Sequence, residues 1–389
     1  MERLVTSDLK LGIIAGGQLG KMLIQEASKW NIVTYVLDND EDCPAKGIAT
    51  HFVKGSNVDF NSVYDFGLLV DLLTFEIENV NIEALKKLKS EGKRISPDPE
   101  ILELIQDKGL QKQFYKRNGI PTAPFKIYES EHTIKADIKD GKLSFPLVQK
   151  LRKGGFDGRG VVVLHEPEDM NKLLPGGSVI EEKVEIAKEI SVIVARNKKG
   201  EIKCYPVAEM MFDKTANLVD KLICPSSITV EQSEMAINLA SEIIELLNME
   251  GLLAVEFFVD ANGNLIVNEM APRPHNSGHH TIESIITSQF EQHLRAILNL
   301  PLGSTKIKLP SVMINILGEK GYEGPVVYEG LTESMAIEGV KIHLYGKKTT
   351  RPYRKMGHVT VLSSSLECAL KKAEKVKQLV KVKSWKIKS

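Results

Sequence analysis

Residues 150–160 read Lys150-Leu-Arg-Lys-Gly154-Gly-Phe-Asp-Gly-Arg-Gly160, a glycine-rich stretch with a short apolar run on either side. The two apolar runs predict strands, so the glycines between them are expected to form the loop of a β-hairpin. The stretch lacks the Gly-Lys-Ser/Thr ending of a Walker A loop, and a strand rather than a helix follows it. Glycines let backbone amides approach phosphate oxygens and let a loop open and close. We therefore expect a mobile lid over phosphates, although a surface hairpin without a ligand is the alternative.

Two glutamates in a second predicted hairpin are candidate metal ligands. Its two strands flank the turn Asp260-Ala-Asn-Gly263. An even-length loop there places Glu256 and Glu269 on the same face, opposite or diagonal to each other. Like charges so placed repel unless a cation lies between them, and all-oxygen ligation suits Mg²⁺, or Mn²⁺, bridging nucleotide phosphates. Asn268, on the opposite pleat, is a weaker candidate, and a solvated acidic hairpin is the alternative.

The N-terminal residues predict a parallel sheet. An apolar run over 9–15 leads through Gly16-Gly-Gln-Leu-Gly20 into a predicted helix over 21–30, and a second apolar run covers 32–37. Strand, helix and strand in this order form a βαβ unit, whose two strands are parallel. A further strand is predicted over 68–76, with Glu76 and Glu78 near its carboxyl end, where ligands of open α/β sheets collect.

The glycine turn after the first strand matches a dinucleotide-binding fingerprint only in part. Ala15 stands where the first glycine belongs, while Gly17, Gly20 and the acidic Asp38 fit the pattern. A nicotinamide-dependent dehydrogenase is therefore one alternative, and a close helix–strand turn without a cofactor is another. The N–H groups at the start of the helix could instead hold a substrate phosphate or ribose.

Bulk composition argues against several classes of protein. The chain has 389 residues, 42% of them hydrophobic and 26% charged, which is typical of a globular protein with more than one domain. Lys+Arg and Asp+Glu both number 51, so no net field favours nucleic acid or an anionic membrane. The four cysteines are scattered without a Cys-x-x-Cys pair, and no apolar run reaches the roughly 18–20 residues of a membrane span. We expect a cytoplasmic protein that binds neither nucleic acid nor a membrane.

Two polar segments beyond the carboxylates are candidate substrate walls. The first contains Arg273, His275, Asn276, His279 and His280. Their spacing fits no common zinc site and no cysteine is near, so a substrate wall or plain hydrogen-bonded loop histidines are favoured. The second, residues 346–358, contains Lys347, Lys348, Arg351, Arg354 and Lys355. Two such cations could grip a sugar phosphate, unless the segment is a solvated basic loop.

Taken together, these motifs resemble the ATP-grasp superfamily and, within it, the N5-carboxyaminoimidazole ribonucleotide synthase family. The resemblance runs from about residue 10 to 365 and is carried by residues 16–22, 74–80, 154–160, 268–279 and 351–358. It implies an α/β ATP-grasp fold in four parts. These are a Rossmann-like preATP-grasp domain (1–105), a small mobile lid with the glycine-rich loop (106–190), a central sheet with the metal carboxylates (191–300), and a C-terminal portion completing the cleft (301–389).

The resemblance also implies a position for each ligand. The ATP phosphates would contact Lys108, Lys150 and the loop residues Gly154, Gly155, Phe156, Asp157, Gly158, Arg159 and Gly160. The adenine would be bordered by Glu181, Glu182, Lys183 and Val184, the ribose by Glu189, and Mg²⁺ by Glu256 and Glu269 beside Asn268. The aminoimidazole ribonucleotide would contact Gln18, Leu19, Glu76, Lys347 and Arg354. The expected catalytic residues near the reacting amine are Asp157, Arg273 and His275.

The implied reaction consumes ATP and bicarbonate. Phosphorylation of bicarbonate gives carboxyphosphate, which carboxylates the exocyclic amine of 5-aminoimidazole ribonucleotide in purine biosynthesis and leaves ADP and phosphate. Cationic side chains and Mg²⁺ would offset charge on the transferring phosphoryl group, and a closed lid would keep water from the labile intermediate. Asp157 could take the amine proton. The family is typically homodimeric.

One departure and three rival functions remain open at this point. Family members usually carry a histidine after the Tyr-Pro pair at 205–206, where this chain reads Glu209-Met-Met-Phe212. The nearest rival is the formate-dependent glycinamide ribonucleotide transformylase of the same superfamily. A nicotinamide-dependent dehydrogenase would bind NADH and turn over no ATP, and a non-catalytic nucleotide sensor would tolerate loss of Glu269.

Overall fold

The N-terminal part of the chain forms an open parallel sheet covered by helices. The structure is a computed structural model that describes residues 6, 8–155, 160–213 and 218–385. The first five strands are β1 (Lys10–Ile14), β2 (Val33–Asp38), β3 (His51–Lys54), β4 (Leu72–Phe75) and β5 (Arg94–Ile95), in the order β3-β2-β1-β4-β5. The helices between them are α1 (Gln18–Ser28), α2 (Phe60–Leu68) and α3 (Ile82–Ser90). All four neighbouring pairs are parallel, which confirms the predicted βαβ arrangement.

The predicted strand over 68–76 is wrong at its beginning. Leu68 is the last residue of α2, and the strand starts only at Leu72. The apolar run crosses two elements because Leu68 and Leu69 are both 47% exposed at the end of the helix, whereas Leu72 and Leu73 are buried in the sheet. Glu76 nevertheless follows the carboxyl end of β4 directly, as expected.

Residues 99–117 form two helices, α4 (Pro99–Gln106) and α5 (Lys108–Arg117). Asp107 separates them because its backbone is extended and its carboxylate caps α5, accepting hydrogen bonds from Gly109 N (2.8 Å) and Leu110 N (3.3 Å). The break places Lys108 in the first turn of α5.

A four-stranded antiparallel sheet follows and carries the glycine-rich loop. Its strands are β6 (Phe125–Tyr128), β7 (Leu147–Leu151), β8 (Val161–Leu164) and β9 (Ser178–Glu182), in the order β6-β9-β7-β8, and helix α6 (Glu131–Lys139) packs on it. The predicted hairpin is confirmed, since Lys150 pairs with Val161 across β7 and β8. Phe156, Asp157, Gly158 and Arg159 lie outside the described residues.

The remaining strands build a nine-stranded sheet with a small three-stranded sheet beside it. The large sheet contains β10 (Ile186–Arg196), β11 (Ile202–Cys204), β12 (Ala208–Asp213), β13 (Leu218–Cys224), β14 (Gly251–Asp260), β15 (Leu265–Ala271), β16 (Ser311–Leu317), β18 (Val340–Leu344) and β20 (Lys355–Leu362). The small one contains β17 (Gly324–Glu329), β19 (Thr349–Thr350) and β21 (Lys381–Ser384). Helices α7 (Val230–Leu246), α8 (Thr281–Ser284), α9 (Gln289–Ile297), α10 (Leu331–Met335) and α11 (Leu366–Leu379) accompany them.

The large sheet runs without a gap from the carboxylate hairpin into the C-terminal residues. Its order is β15-β14-β10-β12-β13-β16-β20-β18, with β11 paired to the end of β10. Helix α7 buries Ala236, Ala240, Ile243 and Ile244 against β10 and β14 in the largest apolar core. No helix in the described parts of the chain is long and apolar enough to cross a membrane.

Candidate active site

The two candidate metal ligands lie directly opposite each other on neighbouring strands. Glu256 on β14 pairs with Glu269 on β15, which confirms that they share a face. The expected effect of the turn is wrong, however. Next to the turn, odd-numbered residues of β14 pair with odd-numbered residues of β15, as in Phe257 with Val267, and not with even-numbered ones. A β-bulge at Asn268 then inserts one extra residue and moves Glu269 into register with Glu256. The bulge also turns Asn268 toward the cleft instead of the opposite pleat, since its Oδ1 accepts a hydrogen bond from Lys150 Nζ at 2.7 Å.

The two carboxylates have opposite electrostatic environments. Burial, together with the negative charge of Glu269, raises the pKa of Glu256. The Lys108 ammonium is ion-paired with Glu269 Oε2 and lowers the pKa of Glu269 well below its usual range. Lys108 thus compensates the charge of Glu269, whereas Glu256 faces an ionised carboxylate and has no lysine or arginine ion pair of its own among the described residues. Such an all-oxygen pair fits a divalent cation, which would relieve the repulsion between them.

A second ion-paired cluster lies beside the first. Lys150 Nζ contacts Glu181 Oε2 at 2.9 Å in addition to Asn268. The other oxygen of Glu181 contacts Lys112 Nζ at 2.8 Å. The predicted site does not include Lys112, although it lies one turn beyond Lys108 on α5, and residues four apart share a helix face. The two predicted phosphate-binding lysines, Lys108 and Lys150, are thus both brought to the carboxylates.

The base of the glycine-rich loop is fixed to the helix that carries Lys108. The Arg152 guanidinium binds Asp107 in bidentate fashion, with Nε–Oδ1 and Nη2–Oδ2 distances of 3.0 and 2.8 Å. The Lys108 N–H also donates to Arg152 O at 2.9 Å. Gly154 and Gly160 both have φ of +78°, a left-handed conformation that favours glycine. The described ends of the loop are therefore held beside α5 while glycines define its two corners.

The residues expected to border adenine and ribose run from the end of β9, which contains Glu181 and Glu182, to Glu189 on β10. Glu181 is 3% exposed, and Glu182 and Lys183 are exposed. Burial raises the pKa of Glu189, on the interior strand β10, to about 7. Phe212 occupies the position where the family usually has histidine, and it packs partly buried against Ala208, Met210, Leu222 and Met313. Phe212 lies on β12, which pairs with β10, and Met210 of β12 is opposite Glu189 of β10.

Arg273 and His275 line the cleft next to the carboxylate pair. His275 Nε2 lies 3.5 Å from Glu256 Oε1, and its Nδ1 lies 2.8 Å from Ser277 Oγ. Arg273 Nη2 is ion-paired with Glu78 Oε1 at 2.7 Å, so the end of β4 reaches across to this wall. Arg273 Nε is buried and has no hydrogen-bond partner among the described residues. The sequence places Glu78 near a strand end but carries no signal for this contact.

His279 and His280 are buried in the interior and do not line a substrate wall. They fit the alternative expectation, that of histidines held by contacts within the protein. His280 Nδ1 lies 2.9 Å from Ser284 Oγ. His279 stacks on His358 with ring centroids 4.7 Å apart, and His358 stacks on His343 at 4.4 Å. Burial lowers the pKa of His279 and of His280, so both rings are neutral near pH 7. Within the described ranges, no three His, Cys, Asp or Glu side chains are grouped as a metal site would need.

The glycine turn after β1 is occupied by protein carboxylates. Glu76 is 5% exposed and accepts hydrogen bonds from Gly17 N and Gly20 N. Asp38 Oδ2 accepts from Gly16 N at 2.7 Å. These contacts disfavour an anion or a dinucleotide at the start of α1, because the N–H groups that would hold it already have acceptors. Gln18 is half-buried at the start of α1, whereas Leu19 is packed in the core, so only the backbone of Leu19 can meet a ligand.

The basic segment of the C-terminal part docks beside the same helix. Lys21 Nζ on α1 donates to Leu344 O and Tyr345 O, both at 3.1 Å, two residues before Lys347. Lys347 Nζ donates to Lys355 O at 2.8 Å. Arg354 Nη1 donates to Thr349 O and Oγ1 at 2.7 and 2.9 Å. Lys348 is ion-paired with Asp42 from the loop after β2. These contacts bring the predicted substrate residues of the first and last parts of the chain to one side of α1.

The chain matches the ribonucleotide synthetase preATP-grasp domain over residues 9–106, the ATP-grasp domain over 113–290 and the phosphoribosylaminoimidazole carboxylase C-terminal domain over 311–372. It is 37% identical over 356 residues to the N5-carboxyaminoimidazole ribonucleotide synthase of Brucella melitensis, covering 90% of this chain and 95% of that protein. It is also 37% identical over 368 residues, or 92% of its length, to the chloroplastic phosphoribosylaminoimidazole carboxylase of Vigna aconitifolia, of which it spans only 65%.

Solved structures resemble the whole chain. The N5-carboxyaminoimidazole ribonucleotide synthetase of Thermotoga maritima is 45% identical, with a TM-score of 0.89 over 97% of this chain and 99% of that one. The Aspergillus clavatus enzyme, solved in complex with ADP and 5-aminoimidazole ribonucleotide, is 30% identical, with a TM-score of 0.86 over 96% and 98% of the two chains.

Proposed function

This chain belongs to the N5-carboxyaminoimidazole ribonucleotide synthase family of ATP-grasp ligases, and we propose that it carboxylates 5-aminoimidazole ribonucleotide with bicarbonate at the expense of ATP. The products are N5-carboxyaminoimidazole ribonucleotide, ADP and phosphate. The observation that carries the proposal is the cross-strand pair of Glu256 and Glu269 facing Lys108 and Lys150 across one cleft.

ATP would lie between the glycine-rich loop and the large sheet. Lys108 and Lys150 would exchange their carboxylate partners for phosphate oxygens, and Glu189 would accept from the ribose hydroxyls. Glu256 and Glu269, with Asn268 beside them, would hold Mg²⁺. The cation would supply neutralisation of charge on the transferring phosphoryl group. Lys108 and Lys150 would also offset this charge, because both are already held beside the carboxylates.

Bicarbonate would bind at the wall formed by Arg273 and His275. The Arg273 guanidinium, held by Glu78, can orient an oxyanion next to the γ-phosphate, so that the bicarbonate oxygen attacks phosphorus and carboxyphosphate forms. His275 lies between this wall and Glu256 and can donate a hydrogen bond to the anion. The amine of the ribonucleotide then attacks the carbon of carboxyphosphate, or of CO₂ released from it, with loss of phosphate. Asp157, outside the described residues, is proposed to take the amine proton.

The ribonucleotide would lie at the junction of the first and last parts of the chain. Its phosphate is expected to contact Lys347 and Arg354, and Gln18 and the Leu19 backbone would contact the sugar. Glu76 would act through the glycine turn that it holds, or directly if the ligand draws it away from Gly17 and Gly20. The Lys21 contact with the carbonyls before Lys347 supports this shared location.

We further propose the division 1–105, 106–190, 191–300 and 301–389 into preATP-grasp domain, lid, central sheet and C-terminal portion. We also propose a homodimer, which the family resemblance supports, and a cytoplasmic location, which the scattered cysteines of the sequence favour.

The decisive experiment is ADP release from MgATP with aminoimidazole ribonucleotide and labelled bicarbonate each added or omitted. ADP formation that requires the ribonucleotide, with label in the product, is the expected result. ADP formation only with formate and glycinamide ribonucleotide would identify the transformylase instead. No ADP under either condition would overturn the proposed reaction.

A further inference from the structure

Helix α5 carries three lysines at four-residue intervals, and they lie in three different environments. Lys108 is ion-paired with the candidate metal ligand Glu269. Lys116 is exposed to solvent. Lys112, between them, is 3% exposed, and burial lowers its pKa to about 8. An ammonium buried this deeply is costly to keep unless its partners hold it in place.

The partners of Lys112 belong to both sides of the nucleotide cleft. Its Nζ donates to Thr122 Oγ1 at 2.6 Å and contacts Glu181 Oε1 at 2.8 Å. The Thr122 hydroxyl in turn donates to Val267 O at 2.9 Å, and Val267 precedes the bulge at Asn268. Lys112 therefore connects α5 with β9 of the four-stranded sheet and, through Thr122, with β15 of the large sheet.

Glu181 is shared by two lysines that differ in their freedom to move. Lys150 touches Glu181 Oε2 at 2.9 Å and has Asn268 as a second partner at the edge of the cleft. Lys112 is enclosed, so it cannot follow a ligand into the cleft. When Lys150 turns to the ATP phosphates, Glu181 keeps a counter-charge only if another cation remains beside it. The two lysines also act together to lower the pKa of Glu181 despite its burial.

We propose that Lys112 is a positioning residue for nucleotide binding. It serves as the fixed counter-ion of Glu181, which allows Lys150 to leave that carboxylate for the ATP phosphates. The proposal rests on the proposed role of Lys150 in binding ATP. A purely structural role, in which Lys112 only ties α5 to the two sheets, is the competing explanation.

The experiment compares MgATP affinity, measured by calorimetry without the other substrates, in a double-mutant cycle. Lys112→Met should weaken MgATP binding about tenfold or more, because Lys150 would then be the remaining lysine in direct contact with the buried Glu181 carboxylate. Glu181→Gln removes that carboxylate, so the same Lys112→Met change in its background should weaken binding by no more than about twofold. Lys116→Met, exposed on the same helix, is the matched control and should leave affinity unchanged.

Two results would overturn the proposal. One is Lys112→Met binding MgATP as Lys116→Met does. The other is an equal loss of affinity in both backgrounds, which a structural tie predicts and a counter-ion does not. If Lys112→Met alone does not fold, the pair Lys112→Met/Glu181→Gln decides. A folded double variant that binds MgATP like Glu181→Gln supports the proposal, and a double variant that does not fold or does not bind refutes it. Wild-type protein that forms no ADP would instead overturn the proposed function.

Discussion

Replacing Glu256 by glutamine should make the nucleotide-free protein more stable while abolishing its reaction. Burial and the facing Glu269 raise the pKa of Glu256 to about 8 from an ordinary value of 4.5. A carboxyl whose pKa is higher in the folded than in the unfolded state adds stability below the unfolded pKa and loses it as the pH rises through the folded pKa. The wild-type protein has therefore lost most of this contribution by pH 7, whereas glutamine, which never ionises, keeps it.

The size of the effect follows from the pKa shift. One pKa unit corresponds to about 1.4 kcal/mol, so the shift would amount to a few kcal/mol at pH 7 for an isolated group. Because Glu256 titrates together with Glu269, we expect a smaller gain on the order of 1–2 kcal/mol. For a chain of this length that gain should raise Tm by roughly 2 °C or more.

The assay is thermal unfolding of wild type and Glu256→Gln at several pH values without Mg²⁺ or nucleotide. The difference in Tm should be small near pH 4.5 and grow up to about pH 8. Glu269→Gln should instead lower Tm at neutral pH. Lys108 stabilises the ionised Glu269 and lowers its pKa, and this ion pair would be lost in the variant. Glu245→Gln, at an exposed position on α7, is the control for loss of a negative charge and should change neither Tm nor turnover.

ADP formation by Glu256→Gln should fall about 100-fold or more, since one of the two candidate metal ligands loses its charge. A folded Glu256→Gln protein that is less stable than wild type at pH 7, or a Tm difference that does not vary with pH, would refute the electrostatic reasoning. Near-normal ADP formation would refute the metal assignment.

Three further predictions concern the other parts of the cleft. Lys347→Ala should raise the KM for the ribonucleotide about tenfold with little change in the KM for ATP, while Lys341→Ala on β18 should change neither; an unaltered KM would move the phosphate site elsewhere. Glu78→Gln should lower kcat about tenfold with MgATP affinity retained, because Arg273 loses its charged partner, and an unchanged kcat would show that Arg273 is held by other contacts. Since the pKa of Glu189 is about 7, ATP affinity should increase from about pH 6 to 8 as this carboxylate ionises and accepts from the ribose; Glu189→Gln should reduce that dependence, and an identical pH profile in the variant would exclude the contact.

Local patterns predict the elements well but not the contacts between distant segments. The βαβ unit and both hairpins follow from runs of neighbouring apolar residues and turn residues. The bulge at Asn268 is not visible in the same way, because Asn268 has its partner Lys150 in another element. The break at Asp107 has a local cause, since Asp107 caps α5, and the contact with Arg152 adds to it. The two glutamates face each other as predicted, but for a different reason. The pairing next to the turn would have placed them on opposite faces, and the bulge at Asn268 brings them back to the same face.

The site residues show the same limit. Glu256, Glu269 and Lys150 are recognisable from local patterns, whereas Lys108 is expected only from the family resemblance. Lys112 is not recognisable, because a lysine on a helix is normally solvated and its burial depends on β9 folding over it. The same holds for His279, whose stacking partner His358 comes from the C-terminal part of the chain.

The unbroken large sheet restricts how this protein can be divided. β13 is flanked by β12 on one side and by β16 on the other, with four backbone pairs joining it to β16. A truncation between β15 and β16 would turn this interior strand into an open edge, which invites association with other chains. The C-terminal residues are thus not a separate unit that can be exchanged by cutting between β15 and β16. A chimaera joined between β15 and β16 would have to rebuild the β13–β16 pairing with a strand from the other parent.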